Sequence, residues 1–238
     1  MPRPSHLVIH GPEAVARHLP AHHPLKPRRA DEAVELLTSA GLVGADAVPV
    51  VTPPRAPNAD LARIHDEEYI RVADRLSQNP QDPKYLDPST REASMHGFSR
   101  DGDNPPYLEM AEAARYACGG VIAAARHVLD HSASIAFVPA AGANHHAMRA
   151  RASGFGVFND AAVAIAAARS TGARVAYIDL DVHHGDGVEA AFRTDPDALT
   201  ISLHESTRYL FPGPPGGLAY QIGVGDGVGY AEIGRAHV

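Results

Sequence analysis

Two carboxylates and an imidazole alternate along one short stretch of the chain, Tyr-Ile-Asp-Leu-Asp-Val-His-His-Gly-Asp-Gly at 177–187. Asp179, Asp181 and His183 are each two residues apart, so on an extended strand their side chains share one side. Such groups, crowded together, need a cation or a hydrogen-bonding partner. A carboxylate with an imidazole suits Zn²⁺ or Fe²⁺ better than Ca²⁺ or Mg²⁺. The stretch therefore predicts a metal site.

A second motif is the histidine pair His145 and His146, in the loop sequence Gly-Ala-Asn-His-His-Ala. It follows a short apolar run at 135–138 that predicts a strand. Adjacent histidines in a loop at a strand end are candidates for proton transfer near neutral pH. Taken alone, a His-His pair is often a surface feature and Asp-Leu-Asp a turn cap. Together, at successive strand ends of one sheet, the two motifs indicate a functional site.

The elements that must position these motifs alternate between helix and strand. Helices are predicted from an N-cap at Asp31 to Gly41, and over 66–73, 109–129, 160–172 and 188–192. Strands are predicted over 135–138, 174–182 and 199–203. This order predicts an α/β fold with a parallel sheet flanked by helices on both faces. The stretch 77–107, rich in Pro, Asn, Asp and Gly, is predicted to form a loop at the rim of the site.

Composition narrows the class of protein. With 238 residues, 45% of them hydrophobic, the chain has the size of one large α/β domain. A net charge of −7 gives no electrostatic footprint for nucleic acid or anionic membrane. No apolar run approaches the roughly 18 residues that span a bilayer. The single cysteine, Cys118, is predicted to be a buried thiol. We expect a cytoplasmic protein with no nucleic-acid or membrane partner.

These motifs resemble the histone deacetylase superfamily, and the bacterial acetoin-utilisation members in particular. The resemblance is carried by 23–29, 65–69, 103–105, 144–147, 154–160, 178–188 and 211–213. It implies an arginase/deacetylase-like fold, incomplete at the C-terminus. It also implies a zinc-dependent deacetylase that removes acetyl or acyl groups from lysine-like or polyamine amines, with Fe²⁺ as an alternative metal. Oligomeric state stays open.

The resemblance implies a role for each matching residue. The metal ligands would be Asp181 and His183. The residues acting on the metal-bound water, directly or as orienting carboxylates, would be His145, His146, Asp179 and Asp186. The acyl arm would lie in a tunnel lined by Gly154, Phe155 and Phe211, with Asp103 holding the substrate at its mouth. A structural K⁺ would be bound by the Ser202 hydroxyl and the backbone carbonyls of Asp179, Asp181, His183 and Leu203.

The resemblance also implies a third zinc ligand and a tyrosine that stabilises the oxyanion, further along the chain. No counterpart of either is found. Asp226 and Tyr230 lie in a glycine-rich segment and are not assigned to these roles. Two protein ligands leave zinc with half its usual tetrahedron. We therefore expect the chain to be the N-terminal part, 1–231, of a single deacetylase domain with poor activity on its own.

The last seven residues, 232–238, are interpreted as a non-native tail. One frame of a widely used sequencing adapter encodes Ile-Gly-Arg-Ala-His-Val followed by a stop, and the chain ends in that string. Two alternatives to a deacetylase remain. A ureohydrolase-type dinuclear metallohydrolase shares the architecture but favours a different metal motif. A non-catalytic protein that binds acyl-amines or a partner would lack the downstream Asp and Tyr.

Overall fold

The computed structural model describes residues 6–14, 19, 23–26, 28–82 and 92–235. Its α-helices are α1 (Arg28–Ser39), α2 (Asn58–Leu61), α3 (Glu67–Gln78), α4 (Glu92–Met95), α5 (Met110–Leu129), α6 (Asp160–Arg169) and α7 (Asp186–Phe192). Its strands are β1 (His6–Ile9), β2 (Val50–Val51), β3 (Ile135–Phe137), β4 (Val175–Asp179), β5 (Ala198–His204) and β6 (Ala231–Arg235). The alternation of strand and helix predicted from the sequence is confirmed.

The strands pair in parallel, as predicted, but in two three-stranded sheets with the orders β2-β1-β3 and β4-β5-β6. Among the described residues β3 pairs only with β1, and β4 only with β5. Large apolar side chains on these two strands are exposed: Ile135 by 56%, Phe137 by 46% and Ile178 by 59%. No described strand hydrogen-bonds to both β3 and β4, so the single sheet that the sequence predicted is divided in two.

Helix α5 packs against both α3 and α6 over the main core. The helical spacing of alanines and larger apolar residues along α5 explains this packing, because small residues let helices approach closely. Fully or almost fully buried side chains in this core include Tyr69, Phe98, Met110, Cys118 and Phe158. Burial raises the pKa of the Cys118 thiol well above its usual value, and the prediction of a buried, unreactive thiol is confirmed.

Several predicted element boundaries differ from those in the structure. Helix α1 begins at Arg28, so Asp31 lies in its first turn and the prediction that it caps the helix is wrong. Helix α3 runs on to Gln78, beyond the predicted end of the helix. The predicted rim loop 77–107 contains the short α4, and its part 83–91 lies outside the described residues.

Strand β6 includes the first four residues of the stretch interpreted as a non-native tail, 232–235, and pairs in parallel with β5. Residues 236–238 lie outside the described part of the chain. Within that described part, none of the helices has the length and apolar character needed to cross a membrane.

Candidate active site

The motif at 177–187 and the His145–His146 loop meet because each follows the end of a strand. His145 and His146 lie in the connection between β3 and α6, and Asp181 and His183 lie in the turn between β4 and α7. Asp179 is the last residue of β4 and is 5% exposed. The side chains converge as predicted, although β3 and β4 belong to two different sheets and not to one.

Asp179 is the centre of a buried hydrogen-bond network. Its Oδ2 atom lies 2.7 Å from Nδ1 of His145 and accepts a 2.6 Å hydrogen bond from the Tyr177 hydroxyl. Its Oδ1 atom accepts the backbone N–H of Asp181 at 3.0 Å. Burial alone would raise the pKa of the Asp179 carboxyl, but the hydrogen bonds from His145 and Tyr177 outweigh burial and lower it. The carboxylate is thus held ionised, with three donors aimed at it.

His145 responds to the same network in the opposite direction. Burial alone would lower the pKa of its imidazole, but the hydrogen bond and the negative charge of Asp179 outweigh burial and raise it. The side chains of both residues are 5% exposed, so this attraction is little screened by water. The arrangement therefore favours the protonated form of His145.

His146 forms a parallel pair with Asp186, the first residue of α7. Its Nδ1 atom lies 2.7 Å from Oδ1 of Asp186, which also accepts the backbone N–H of Gly187 at 3.0 Å. The rings of His145 and His146 are neighbours, with centroids 4.0 Å apart. Two histidines, each fixed through Nδ1 by a carboxylate, therefore stand side by side with their Nε2 atoms left for other partners.

Asp181 and His183 form the predicted metal pair. Nδ1 of His183 lies 2.8 Å from Oδ1 of Asp181, and their side chains are 38% and 49% exposed. Burial alone would raise the pKa of Asp181, but hydrogen bonds from His183 outweigh burial and lower it. A carboxylate oxygen and an imidazole nitrogen facing each other fit two positions of a Zn²⁺ or Fe²⁺ shell. Across the residues that the structure describes, no group of three metal-binding side chains is found.

Phe211 and Gly154 form walls around His146. The Phe211 ring stands perpendicular to the His146 ring, with centroids 4.7 Å apart. Gly154 has φ = +51°, and a Cβ built there would lie 2.3 Å from Cδ2 of His146. Only glycine fits at such a position. Together with Asp103, both residues line a cavity of about 290 Å³, so three of the four predicted substrate residues are brought together.

Phe155, the fourth predicted tunnel residue, is not among the residues lining this cavity. Its ring packs edge-on against His23, with centroids 4.8 Å apart. It lines a neighbouring cavity of about 320 Å³ together with Lys26 and Arg29. Phe155 also has φ = +70°, an unusual conformation for a bulky residue.

The residues predicted to bind K⁺ lie on adjacent strand ends. Asp179 of β4 is the register partner of Ser202 of β5, and Leu203 follows it. The Ser202 hydroxyl accepts the backbone N–H of Gly185 at 3.3 Å and lies 2.8 Å from Nδ1 of His204. Its oxygen therefore already has polar neighbours beside the turn that carries Asp181 and His183.

The sequence did not identify several residues that support the site. Tyr177 precedes Asp179 by two residues on the same strand, a spacing that predicts a shared face and could have signalled the contact. From the sequence, Asn159 and Asp160 are alternative caps of α6, with no other role for either residue. The Oδ2 atom of Asp160 accepts the N–H of Gly142 at 2.7 Å and the Asn144 amide at 3.2 Å, anchoring the loop before the histidines. Asn159 is the actual cap, its Oδ1 accepting the N–H of Ala162 at 2.9 Å.

His65 is a further supporting residue, fully buried beneath the site. Its Nε2 atom accepts the N–H of Asn159 at 2.9 Å, so Nδ1 carries the proton and donates to the carbonyl of Met148 at 3.0 Å. Burial lowers the pKa of His65 to about 4. A neutral His65 thus connects the end of the His145–His146 loop to the start of α6. His65 and Asn159 are 94 positions apart, so spacing along the chain cannot reveal this contact.

Comparison with known proteins gives one consistent result. Residues 23–232 match the family model described as the histone deacetylase domain. The chain is 38% identical over 187 residues to the acetoin utilization protein AcuC of Bacillus subtilis, covering 76% of this chain and 44% of that protein. It is 36% identical over 214 residues to histone deacetylase clr6 of Schizosaccharomyces pombe, covering 90% and 50%.

Solved structures agree with the sequence relatives. A crystal structure of an HDAC homolog complexed with SAHA superposes with a TM-score of 0.83 at 30% identity, covering 95% of this chain and 58% of that one. The chain spans about half the length of the curated relatives it matches, 44% and 50% for the two named above.

Proposed function

Because this chain belongs to the histone deacetylase family, we propose that it acts in metal-dependent deacetylation, hydrolysing the amide of an acetylated or acylated amine. One observation carries the proposal. Two histidines with ring centroids 4.0 Å apart are each held through Nδ1 by a carboxylate at 2.7 Å, beside an Asp–His pair suited to a metal. General acid–base chemistry next to a Lewis acid is what amide hydrolysis requires.

Asp181 and His183 would hold the metal, which we propose is Zn²⁺, with Fe²⁺ as the alternative. When bound, such an ion polarises a carbonyl and lowers the pKa of a water molecule. Catalytic zinc sites have three protein ligands. The proposal therefore requires one more protein ligand than Asp181 and His183 provide, and one more donor for the oxyanion.

The histidines would move the protons. With Nδ1 occupied by a carboxylate, each imidazole presents Nε2 as its exchangeable site. One Nε2 would accept a proton from the attacking water, and a protonated histidine would then deliver a proton to the departing amine. Asp179 favours the protonated form of His145, since the charge of the carboxylate raises its pKa. Asp186 fixes the ring orientation of His146.

The acyl arm of the substrate would lie against Gly154 and Phe211, and the polar end of the substrate would lie near Asp103, because these three residues line one cavity. We propose a lysine-like or polyamine amine as the acylated group.

A K⁺ ion near Ser202 would stabilise the β4–α7 turn through the carbonyls of Asp179, Asp181, His183 and Leu203. A cytoplasmic location and the absence of nucleic-acid and membrane partners remain predictions.

The test begins at the source locus. A long sequencing read past the codon for Ala231 defines the reading frame, and the encoded protein is then expressed and loaded with Zn²⁺ or Fe²⁺. We expect acetate release from acetyl-lysine peptides, Nε-acetyl-lysine or N-acetylputrescine, with one metal ion per chain. Metal-loaded protein that binds these compounds without releasing acetate would favour a non-catalytic role. Two metal ions per chain would favour the ureohydrolase type.

A further inference from the structure

The cavity beside His146 is lined by a cationic side chain, Arg151, as well as by Asp103. Of the residues that line its 290 Å³, only Asp103 and Arg151 carry a charge; the rest are small, hydroxyl-bearing, amide or aromatic. Arg151 had no role in the sequence analysis. The wall formed by Gly154 and Phe211 belongs to the same cavity, so a carboxylate, a guanidinium and the predicted path of the acyl arm share one space.

The backbone around Arg151 is held on both sides. The Arg151 carbonyl accepts the N–H of Met148 at 2.8 Å. The next residue, Ala152, donates to the carbonyl of His96 at 2.9 Å, and the His96 ring lies 2.7 Å from the carbonyl of Ala150. These bonds fix the direction in which the Arg151 side chain leaves the loop.

The stem of Arg151 is placed by Gly97. This glycine has φ = +79°, and a Cβ built on it would lie 2.7 Å from Cγ of Arg151 and 2.1 Å from the carbonyl oxygen of Ala152. The stem therefore passes directly over a position where no side chain can be accommodated. An arginine positioned in this way loses less conformational entropy when it binds an anion.

Neither charge at the cavity has an ion-pair partner among the residues that the structure describes. In the described ranges no carboxylate lies within 4.0 Å of the Arg151 guanidinium, and no cation lies within that distance of the Asp103 carboxylate. Nearby arginines are different. Arg149 is paired with Asp66 at 2.8 Å, and Arg100 donates to the Gln81 side chain at 2.8 Å. As far as the described ranges go, Arg151 and Asp103 are both available to a ligand.

We propose that this charge pair recognises the two termini of an amino acid. Arg151 binds the α-carboxylate and Asp103 the α-ammonium group of a free Nε-acyl-lysine, or of a close homologue, whose acyl arm passes between Gly154 and Phe211. This inference rests on the proposed deacetylase function. A planar guanidinium binds a carboxylate through two parallel hydrogen bonds. An acylpolyamine carries only cationic groups, which Arg151 repels.

The size of the cavity agrees with a small head group. At about 290 Å³ it lies at the lower limit for ligand pockets, which run from about 300 to 1,000 Å³. It can accommodate the two charged groups of an amino acid. In a peptide chain both α-groups are converted to amides, which removes the charges that Asp103 and Arg151 would complement.

The test is calorimetric binding to the chain, which does not depend on turnover. The probes are Nε-acetyl-L-lysine and its α-carboxamide, which differ only in the carboxylate, together with N-acetylputrescine. We expect the acid to bind about tenfold more tightly than the amide, the equivalent of one charge-assisted hydrogen bond. Arg151→Gln should abolish this preference. Arg100→Gln, which removes the same charge from a nearby exposed position outside the cavity, should retain it.

Equal binding of the acid and the amide to the unmodified chain would overturn the inference, and so would a preference that survives in Arg151→Gln. Tighter binding of N-acetylputrescine than of the acid, or no detectable binding of the acid at millimolar concentration, would also overturn it. The comparison of acid with amide needs no variant and stands even if Arg151→Gln fails to fold. A preference for the acid without any acetate release would support the inference while contradicting the proposed function.

Discussion

Asp186 holds the ring of His146 from the first turn of α7, with Oδ1 and Nδ1 2.7 Å apart, although the two residues are 40 positions apart in the chain. The carboxylate lies at the helix N-terminus, where its negative charge is stabilised. With Nδ1 held by Asp186, Nε2 is the ring nitrogen of His146 that is left for other partners. The contact links the motif at 177–187 to the motif at 142–147.

His146→Ala should lower the deacetylation kcat of the encoded protein by at least about 100-fold, the usual contribution of a general acid or base. The reason is the loss of the proton carrier beside Phe211. Acetate release under saturating substrate measures the effect. His127→Ala, at the end of α5 and bonded to Ser132, is the matched control and should leave kcat unchanged. Near-normal turnover in His146→Ala would contradict the mechanism.

Asp181→Asn should weaken metal binding about tenfold or more and abolish turnover, because a neutral amide replaces an anionic ligand. Competition with a chromophoric chelator measures the affinity. Asp226→Asn removes a carboxylate of the glycine-rich segment that was not assigned a role, and should leave the affinity unchanged. Weaker metal binding in Asp226→Asn than in Asp181→Asn would reverse the assignment of the ligand.

Gly154→Ala should reduce kcat by about tenfold or more and lower the free energy of unfolding by about 1 to 2 kcal/mol. The added Cβ would lie 2.3 Å from the His146 ring, and φ is +51°. Denaturant titration and acetate release measure the two effects. Gly172→Ala is a control with φ = +85° and open space around its Cβ, so it should show the conformational cost without the loss of kcat. Equal kcat values in the two variants would contradict the contact.

His65 should make the protein less stable as the pH falls. Its pKa is about 4 in the folded state and near 6.5 in the unfolded chain, so below pH 6.5 the unfolded chain binds the proton first. The stabilisation is complete above pH 6.5 and is lost as the pH falls towards 4, by about 3 kcal/mol. Urea unfolding between pH 4.5 and 7.5 measures this slope. The slope should be shallower in His65→Gln by up to one proton; identical slopes would show that His65 does not contribute.

The convergence of the two histidine motifs could be predicted because strand order and chain direction place both at strand ends. The spacing of Asp179, Asp181 and His183 drew attention to them, but β4 ends at Asp179, so Asp181 and His183 lie in the turn and not on the shared strand face that the spacing predicted. The links made by His65 and Asp160 could not be predicted, since they join loops through side chains far apart in sequence. The edge-on contact of Phe155 with His23 could not be predicted either, since the two residues are far apart in the sequence. Arg151 was missed because a cavity is defined only once loops 94–104 and 151–154 meet.

The apolar edges of β3 and β4 affect how the chain behaves at high concentration. Each of these strands pairs on one side only within the described part of the chain, and the other edge presents backbone N–H and C=O groups that can pair with a strand of another molecule. The exposed apolar side chains of Ile135, Phe137 and Ile178 add hydrophobic surface beside these backbone groups. Purified material should therefore aggregate with increasing concentration, and light scattering would follow the process. Phe137→Lys, which places a charge on one edge, should delay aggregation without touching the histidines.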